Sequence, residues 1–263
     1  PYGAGLWPAF RFFRSAYHRE RVAERRLRVH LRALRMDMRP QDASAFDEVV
    51  LGREYDFLRE LFADGEAPST VLDLGANVGF FAAHLLDQWP DATVESVEAA
   101  PDTHALLEAN RLANPGFRWR THHLAVWSRD GEVTFPGAGT STGRRVAPGP
   151  GAAGPVVPAL TLDALVARVV PAAAPISILK VDVEGAEEAV LCATTVLPRV
   201  ERLVVELHPA LCDADRVLAT IRGEFPWLHR VPGRASSKPL LVATRRRCAL
   251  PEHPAPPAEA RRR

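Results

Sequence analysis

Short apolar segments of this chain are followed at once by polar residues whose types and spacing could do chemistry. The first such group is D-L-G-A-N-V-G at 73–79, in which an acidic residue precedes two glycines spaced G-x-x-x-G. Glycine suits these positions because a Cβ atom would block a tight turn or the close approach of a ligand to the backbone. The spacing is neither the dinucleotide-binding G-x-G-x-x-G nor the phosphate-binding G-x-x-x-x-G-K-S/T, and the missing lysine argues against a nucleoside triphosphate.

The second group is a single acid, Glu98, which directly follows a predicted strand at 92–97. It lies about twenty residues beyond the glycine turn, where an acidic side chain can accept hydrogen bonds from both hydroxyls of an adenosine ribose. The succession of strand, glycine turn, helix, strand and acid makes a merely solvated carboxylate the weaker interpretation. These residues predict a ribose-bearing cofactor and leave NAD possible.

The third group is the run K-V-D-V-E-G-A-E at 180–187, where another predicted strand ends. Lys180 and Asp182 share one face of that strand because side chains alternate along it. A buried lysine needs an acidic partner, for which Asp73 and Glu206 are the candidates. We expect Asp182 to lie in the site because the strand opens towards a ligand there. Three further acids of this stretch fit equally well as helix N-terminal residues favoured by the helix dipole: Glu184, Glu187 and Glu188.

The fourth group comprises Glu206 and His208, at the end of a predicted strand over 203–207. His208 is a candidate general base because the ordinary pKa of histidine is near neutrality. Together with Asp182, this pair could instead bind a divalent cation. In a third interpretation, His208 caps the strand and Glu206 pairs with Lys180. All three interpretations stay open.

The elements that must position these groups alternate along the chain, which predicts a mostly parallel α/β sheet with helices on both faces. Two final strands predict an antiparallel hairpin at one edge. Strands are predicted at 70–74, 92–97, 118–126, 132–135, 177–181, 203–207, 228–231 and 240–244, and helices at 79–88, 102–113, 160–169, 186–193 and 214–223.

The segment 10–35 carries nine arginines, with Leu27, Leu31 and Leu34 at helical spacing. This pattern predicts a helix with one apolar stripe. The helix is either a solvated cap or a surface that docks an anionic partner or a membrane.

A second helix is predicted over 46–62 and ends before a Gly residue at 65. The Gly-, Pro- and Ala-rich segment 136–158 is either a functional loop or disordered. These features divide the chain into a basic N-terminal helical extension (1–40), one domain (41–250) and a disordered tail (251–263).

Composition narrows the class of protein. The 263 residues are 47% hydrophobic and carry a net charge of +1, which predicts a globular fold and no overall field for nucleic acid. No segment approaches the ~20 uninterrupted apolar residues of a membrane helix, and no convincing secretory signal is present. The three cysteines form no C-x-x-C pair, so neither a disulfide framework nor a cysteine zinc site is supported, and we expect a reducing, cytoplasmic location.

With these segments in hand, the chain resembles the FkbM family of S-adenosylmethionine-dependent methyltransferases. The K-V-D-V-E-G-A-E run is the most distinctive match, whereas D-x-G-A-x-x-G alone is typical of class I methyltransferases in general. The matching stretches follow the family order: VLDLGANVGFF at 71–81, VEAAPDTHALLEAN at 97–110, LAVWSRDGEVTF at 124–135, LTLDAL at 160–165, LKVDVEGAEEAVL at 179–191 and VVELHP at 204–209.

The resemblance implies a seven-stranded Rossmann-like fold of class I and S-adenosylmethionine as cofactor. By motif position, it implies that the glycine turn surrounds the methionine part, Glu98 the ribose, and Asp182 the transferring methyl. Residues 123–126, at the third strand end, would lie beside the adenine. The implied cofactor-binding residues are Glu54, Asp73, Gly75, Ala76, Asn77, Gly79, Glu98, His123, Ala125 and Asp182.

The resemblance also bears on the acceptor. Asp-Val-Glu-Gly follows the strand at 177–181, in place of the Asn/Asp-Pro-Pro-Tyr associated with methylation of exocyclic amines. This favours a hydroxyl of a small molecule, secondary metabolite or glycan. Two alternatives are a protein or RNA methyltransferase that docks through the basic helix, and a cofactor-binding protein without turnover, which the intact motifs disfavour. The candidate catalytic residues are Asp182, His208, Lys180 and Glu206, and a divalent metal stays open.

Overall fold

Strands and helices alternate along the part of the chain that this computed structural model describes, which is residues 26–62, 65–134, 154–232, 237–248 and 250–251. The strands are β1 (Leu27–Leu31), β2 (Leu34–Met38), β3 (Thr70–Leu74), β4 (Thr93–Glu98), β5 (Arg118–His123), β6 (Ala125–Val126), β7 (Gly131–Thr134), β8 (Val156–Leu160), β9 (Ile178–Val181), β10 (Arg202–Glu206), β11 (Trp227–Arg230) and β12 (Leu240–Thr244). The α-helices are α1 (Ala43–Phe46), α2 (Leu58–Leu61), α3 (Phe80–Gln88), α4 (Pro101–Leu112), α5 (Leu162–Val169), α6 (Glu187–Leu191) and α7 (Ala214–Glu224).

A seven-stranded sheet lies at the centre, in the order β5-β4-β3-β9-β10-β12-β11. The first five of these strands pair in parallel, and β12 is antiparallel to both of its neighbours. The inner strands β9 and β10 are buried throughout. Helices and loops cover both faces, so inner strands read as nearly continuous apolar runs. The predicted mostly parallel α/β fold is confirmed.

The predicted antiparallel hairpin of the two last strands at one edge of the sheet is confirmed. β12 lies between β10 and β11, and β11 forms the edge. All five residues of β12 are buried because it is an inner strand.

A second, three-stranded sheet of order β6-β8-β7 lies beside the first. The single strand predicted over 118–126 is therefore wrong, since β5 and β6 belong to different sheets. β8 falls where a loop and the start of a helix were predicted, and its alternating burial identifies it as a half-buried strand. Most of the predicted loop 136–158 lies outside the described residues.

The arginine-rich segment is not helical where the structure describes it, so the helix predicted over 10–35 is wrong for 27–35. β1 and β2 form an antiparallel hairpin, and the turn between them holds Arg32 at a φ of 44°. Apolar and polar residues alternate through L-R-V-H-L and L-R-M-D-M, which is the periodicity of strands. Residues 10–25 lie outside the described part. The buried side chains of the hairpin are Val29, Leu31, Leu34, Met36 and Met38.

The hairpin packs against α4. The backbone N–H of Arg35 donates to Asn114 Oδ1 (2.9 Å), and that of Asp37 donates to Asn110 Oδ1 (2.7 Å). Asn110 Nδ2 in turn donates to the carbonyl oxygen of Val78 (2.9 Å), in the glycine turn. Residues 27–38 therefore share the core of the main domain and help to hold the turn after β3.

The helix predicted over 46–62 is interrupted. A π-helical turn at Asp47–Leu51 follows α1, Gly52 closes it through a hydrogen bond to Asp47, and Arg53 has a φ of 56°. The chain then enters α2. A left-handed residue ends a helix because its backbone cannot continue the right-handed spiral. The break places residues 54 and 55 beside the ends of the central strands.

Within the described ranges, no helix combines the length and the apolar character that crossing a bilayer requires.

The packing of the hairpin generates a first prediction. Met36 is fully buried, so we expect Met36→Ala to lower the free energy of unfolding by about 2–5 kcal/mol, measured by urea denaturation. Arg28→Ala, in the same hairpin, is the matched control. Its ion pair with Asp37 is exposed and contributes little. Equal stabilities of the two variants would contradict the placement of the hairpin in the core.

Candidate functional site

The turn after β3 is held tightly against its neighbours. The backbone N–H groups of Gly75 and Ala76 both donate to the carbonyl oxygen of Val97, at 3.0 and 2.9 Å. Gly75 has a φ of 74°, and a Cβ atom there would lie 1.8 Å from the carbonyl oxygen of Asp182. The close approach of two backbones, from the ends of β3 and β9, therefore requires this glycine.

The second glycine of the turn begins helix α3. Gly79 has a φ of 98°, and a Cβ atom would lie 2.5 Å from the ring of Trp119 and 2.9 Å from Leu107. Between the glycines, Asn77 has a φ of 52°. Its Oδ1 is buried and makes no hydrogen bond to any described residue. An acceptor in this state is a candidate contact for a ligand that brings its own donor.

A buried ammonium group joins the ends of β3 and β9. Lys180 Nζ donates to the carbonyl oxygen of Gly75 (2.9 Å) and forms ion pairs with Asp73 Oδ1 (3.2 Å) and Asp182 Oδ2 (3.6 Å). Burial acts to lower the pKa of Lys180, but the carboxylates of Asp73 and Asp182 raise it well above its usual range. The predicted pairing of Lys180 with Asp73 is confirmed. The charge of Glu206 acts on Lys180 in the same direction.

The carboxyl group of Glu98 lies at the end of β4 under the glycine turn. It accepts hydrogen bonds from the backbone N–H of Asn77 (2.9 Å) and of Ala100 (2.8 Å). Burial raises the pKa of Glu98 to about 7, although these two bonds oppose the shift. Glu98 therefore changes its charge near neutral pH.

An imidazole lies between two carboxylates at the ends of β9 and β10. His208 Nδ1 lies 2.8 Å from Glu187 Oε1, and His208 Nε2 lies 3.1 Å from Glu184 Oε2. Burial acts to lower the pKa of His208, but Glu184 and Glu187 raise it to about 10. The ring is therefore protonated at neutral pH in this arrangement, which weakens its candidacy as a general base.

The metal-binding group that the sequence predicted changes one member. Among the described residues, the group that could hold an ion is Asp182, Glu184 and His208, each with one ligand atom within 4.8 Å of the others. The sequence prediction had Glu206 in place of Glu184. The sequence does contain a signal for Glu184 as a metal ligand, because it lies only two residues after Asp182 and can reach the same site. It was interpreted instead as a helix N-terminal acid, yet α6 begins only at residue 187.

These groups surround a cavity of about 310 Å³ at the carboxyl ends of β3, β9 and β10. Its charged lining consists of five carboxylates and two lysines, so it favours a positively charged ligand. The charged lining residues are Glu48, Glu54, Asp182, Glu184, Glu206, Lys180 and Lys238.

The predicted site residues fall into two sets. One set lines the cavity: Glu54, Gly75, Ala76, Asn77, Lys180, Asp182 and Glu206. The other set lies behind the lining or further along the sheet edge: Asp73, Gly79, Glu98, His123, Ala125 and His208.

Two residues predicted to lie beside an adenine occupy different sheets. His123 ends β5, and its ring stacks on that of His104 at 4.7 Å between centroids. Ala125 is buried in β6. His104 Nε2 is buried and makes no hydrogen bond within the described part of the chain.

The fold and the site define the class of this protein. A seven-stranded sheet with β12 inserted beside the edge, a glycine turn after β3 and an acid at the end of β4 are features of class I S-adenosylmethionine-dependent methyltransferases. The family described as "Methyltransferase FkbM domain" matches residues 73–224, more than half of the chain. The chain belongs to this family. Membership identifies the cofactor as S-adenosylmethionine, which the glycine turn and Glu98 alone had left open against NAD.

Several solved structures are similar to the chain. WbdD is 13% identical with a TM-score of 0.43, over 78% of this chain and 40% of WbdD. The N-terminal domain of EvdMO1 with SAH bound is 13% identical with a TM-score of 0.43, over 90% of this chain and 97% of that one. A putative O-methyltransferase from Klebsiella pneumoniae is 13% identical with a TM-score of 0.42, over 73% and 79%.

The chain spans only 40% of the length of WbdD. No curated protein matches it.

The contact between Gly75 and Asp182 generates a second prediction. Gly75→Ala places a Cβ atom against a carbonyl oxygen at a left-handed φ, so we expect it to lower the free energy of unfolding by about 3 kcal/mol or more. Gly116→Ala is the matched control, because no atom lies within 4 Å of its added Cβ and its φ is not left-handed. We expect a change within about 0.5 kcal/mol for the control. Thermal and urea denaturation measure both, and an unaffected Gly75→Ala variant would contradict this geometry.

Proposed function

We propose that the protein transfers the methyl group of S-adenosylmethionine to a hydroxyl oxygen of a small molecule, secondary metabolite or glycan. The observation that supports this most directly is the carboxylate-rich cavity at the strand ends, with Asp182 among its lining residues. Oxygen nucleophiles must lose a proton during transfer, and carboxylates beside the reacting atoms promote that loss.

The residues of the cavity fit the cofactor. S-adenosylmethionine carries a positive sulfonium, and the lining has more carboxylates than lysines. Gly75, Ala76 and Asn77 would hold the methionine part, where the buried Oδ1 of Asn77 can accept a hydrogen bond from its ammonium group. Glu98 would accept hydrogen bonds from the ribose hydroxyls. These assignments are supported by the position of each residue around the strand ends.

The remaining cofactor contacts are proposed on position alone. His123 and Ala125 would flank the adenine, because His123 ends β5 opposite Glu98 and Ala125 comes two residues later. Glu54 lines the cavity after the break in the helix that precedes β3. It would contact the cofactor within this cavity.

When bound, the cofactor supplies an electrophilic methyl group on its sulfonium, so that an O–C bond forms as the C–S bond breaks and the neutral thioether leaves. The protein therefore mainly aligns the acceptor and handles its proton. Asp182 is the residue best placed to promote loss of that proton. Lys180, which is itself paired with Asp73, forms an ion pair with Asp182 and so helps to position it.

Two observations favour oxygen over nitrogen as the acceptor atom. The segment after β9 is Asp-Val-Glu-Gly, which lacks the consecutive prolines and aromatic residue associated with amine methylation. The cavity is also lined by Ser44, Glu48, Ser237 and Lys238, whose polar groups can hydrogen-bond to a hydroxylated compound.

The alternative of a protein or RNA methyltransferase loses support in the described part of the chain. Where the structure describes the segment of the predicted basic docking helix, residues 27–38 form a hairpin in which Arg28 pairs with Asp37. Arg32, in its turn, pairs with Asp87. These charges are already partly neutralised. A cytoplasmic location is likewise a proposal, supported by the free thiols of Cys192, Cys212 and Cys248.

A transfer assay tests this proposal. Compounds bearing hydroxyl, amine or carboxyl groups are incubated with the protein and S-adenosylmethionine labelled at its methyl group. We expect label on a hydroxyl oxygen, identified by mass spectrometry. Asp182→Asn should lower kcat by about 10²–10⁴-fold and change the Kd of the cofactor far less.

Asp91→Asn is the control for this series, because its side chain is 97% exposed on another part of the surface. Label found only on nitrogen would overturn the choice of acceptor atom. Full turnover by Asp182→Asn would remove that residue from the proposed role.

The pKa of Glu98 generates a prediction of pH dependence. At a pKa of about 7, roughly a tenth of Glu98 is ionised at pH 6 and roughly nine-tenths at pH 8. The ionised form can accept from both ribose hydroxyls, so we expect cofactor affinity to be about tenfold weaker at pH 6 than at pH 8. Calorimetric titrations at both pH values measure this.

Glu98→Gln is the control, since it cannot ionise and any remaining pH dependence belongs to other groups. We expect it to bind the cofactor more weakly and with a flatter pH profile. Identical profiles for the two proteins would place Glu98 outside the cofactor site.

A further inference from the structure

We propose that Asp182, Glu184 and His208 bind one divalent cation beside the cavity. One carboxylate oxygen from each acid and one ring nitrogen lie within 4.8 Å of one another. The donors come from the segments after two adjacent strands, β9 and β10, which the sheet holds in fixed register. Three protein ligands leave coordination positions open for water or an acceptor oxygen.

The imidazole of His208 is oriented as a ligand. Its side chain is only 2% exposed, and Nδ1 is held by Glu187 Oε1 at 2.8 Å. Glu187 Oε1 is itself fixed by the backbone N–H of Gly185 at 3.0 Å. A carboxylate that holds one ring nitrogen while the other faces the metal is a recurrent arrangement around metal-binding histidines. Glu187 is thus a positioning residue.

The other ring nitrogen faces the site without a well-aligned partner. His208 Nε2 is buried and lies 3.1 Å from Glu184 Oε2, but the geometry does not meet that of a hydrogen bond. Asp182 Oδ1 is likewise buried and makes no hydrogen bond within the described residues. A cation between these atoms would satisfy both.

The neighbouring lysines leave room for a cation. Lys180 is committed to Asp73 and to the carbonyl oxygen of Gly75, and it lies 3.6 Å from Asp182 Oδ2. Lys238 Nζ lies 3.5 Å from Glu184 Oε2, but its side chain is 47% exposed. Lys238 can therefore move into solvent when a cation takes its place.

The donor set indicates which cations fit. One imidazole and two carboxylates combine a ligand preferred by transition metals with ligands preferred by Mg²⁺, Ca²⁺ and Mn²⁺. Mn²⁺ accepts both kinds, so it is the cation to which we assign the site. Binding requires the neutral ring, so the proton on His208 Nε2 passes to solvent when the cation binds.

The role of the cation rests on the proposed function. Bound at an open coordination position, the hydroxyl oxygen of the acceptor would become more acidic and release its proton to solvent. Asp182 would promote this loss of the proton indirectly, because it is one of the ligands that hold the cation. The site would also define the acceptor as a compound whose hydroxyl can reach a metal.

Titration of the cofactor-free chain with MnCl₂ tests the site directly, by calorimetry and by the electron paramagnetic resonance of free Mn²⁺. We expect one Mn²⁺ per chain. Glu184→Gln should weaken binding at least tenfold, and Glu187→Gln by about 10–100-fold. Glu188→Gln is the matched control, because its carboxylate pairs with Arg216 away from the site and should leave the affinity unchanged.

Circular dichroism confirms that each variant is folded, and Asp182→Asn provides a second ligand variant. No binding of Mn²⁺ by the folded wild-type chain, or equal affinities in Glu184→Gln and Glu188→Gln, would overturn the proposal. The affinity for S-adenosylmethionine is measured in the same samples. If the cofactor binds and is turned over while Mn²⁺ does not bind, the metal site fails and the proposed function stands.

Discussion

The structure of the site depends on one buried ion cluster. A lysine in the interior costs free energy unless anionic partners surround it. Lys180 meets this requirement with Asp73, Asp182 and the carbonyl oxygen of Gly75. These partners come from the ends of two adjacent parallel strands, so a single ammonium fixes the position of one strand end against the other. This constraint fixes Lys180 and Asp182, which line the cavity, and the absence of a side chain at Gly75 allows the two backbones to approach.

The carboxylates around this cluster are not equivalent. Asp73 is fully buried, and its charge is balanced by Lys180. Glu184 faces a second partner, His208, whose ring is fixed from behind by Glu187. The carboxylate of Asp73 is structural, because it is fully buried and does not line the cavity. The group around Glu184 borders the cavity, and its excess of negative charge suits a sulfonium, a metal ion, or both. The buried Lys180–Asp73 pair thus fixes the strand ends, whereas the carboxylates that border the cavity remain available to a ligand.

The sequence pattern was sufficient to predict the structure of segments whose conformation depends mainly on their own residues. The run V-L-D-L-G at 71–75 is apolar enough to be an inner strand and ends in a glycine that must turn, and both features were predictable. The segment 27–35 was predicted wrongly because leucines at 27, 31 and 34 fit a helix as well as two short strands. The alternation of apolar and polar residues also fits strands, and contacts with Asn114 and Asn110, 79 and 73 residues away, fix the hairpin in place.

The sequence by itself determined the alternation of strands and helices in the central sheet, the family, and the four strand ends at which chemistry is possible. These follow from short-range periodicity and from motifs that are contiguous in the chain. Only the tertiary structure decided which charges meet. It brought Glu184, rather than Glu206, to Asp182 and His208, and it raised the pKa of His208 by placing the ring between two carboxylates. Electrostatic interactions depend on distance in space and on burial, and neither quantity is encoded in the spacing of residues along the chain.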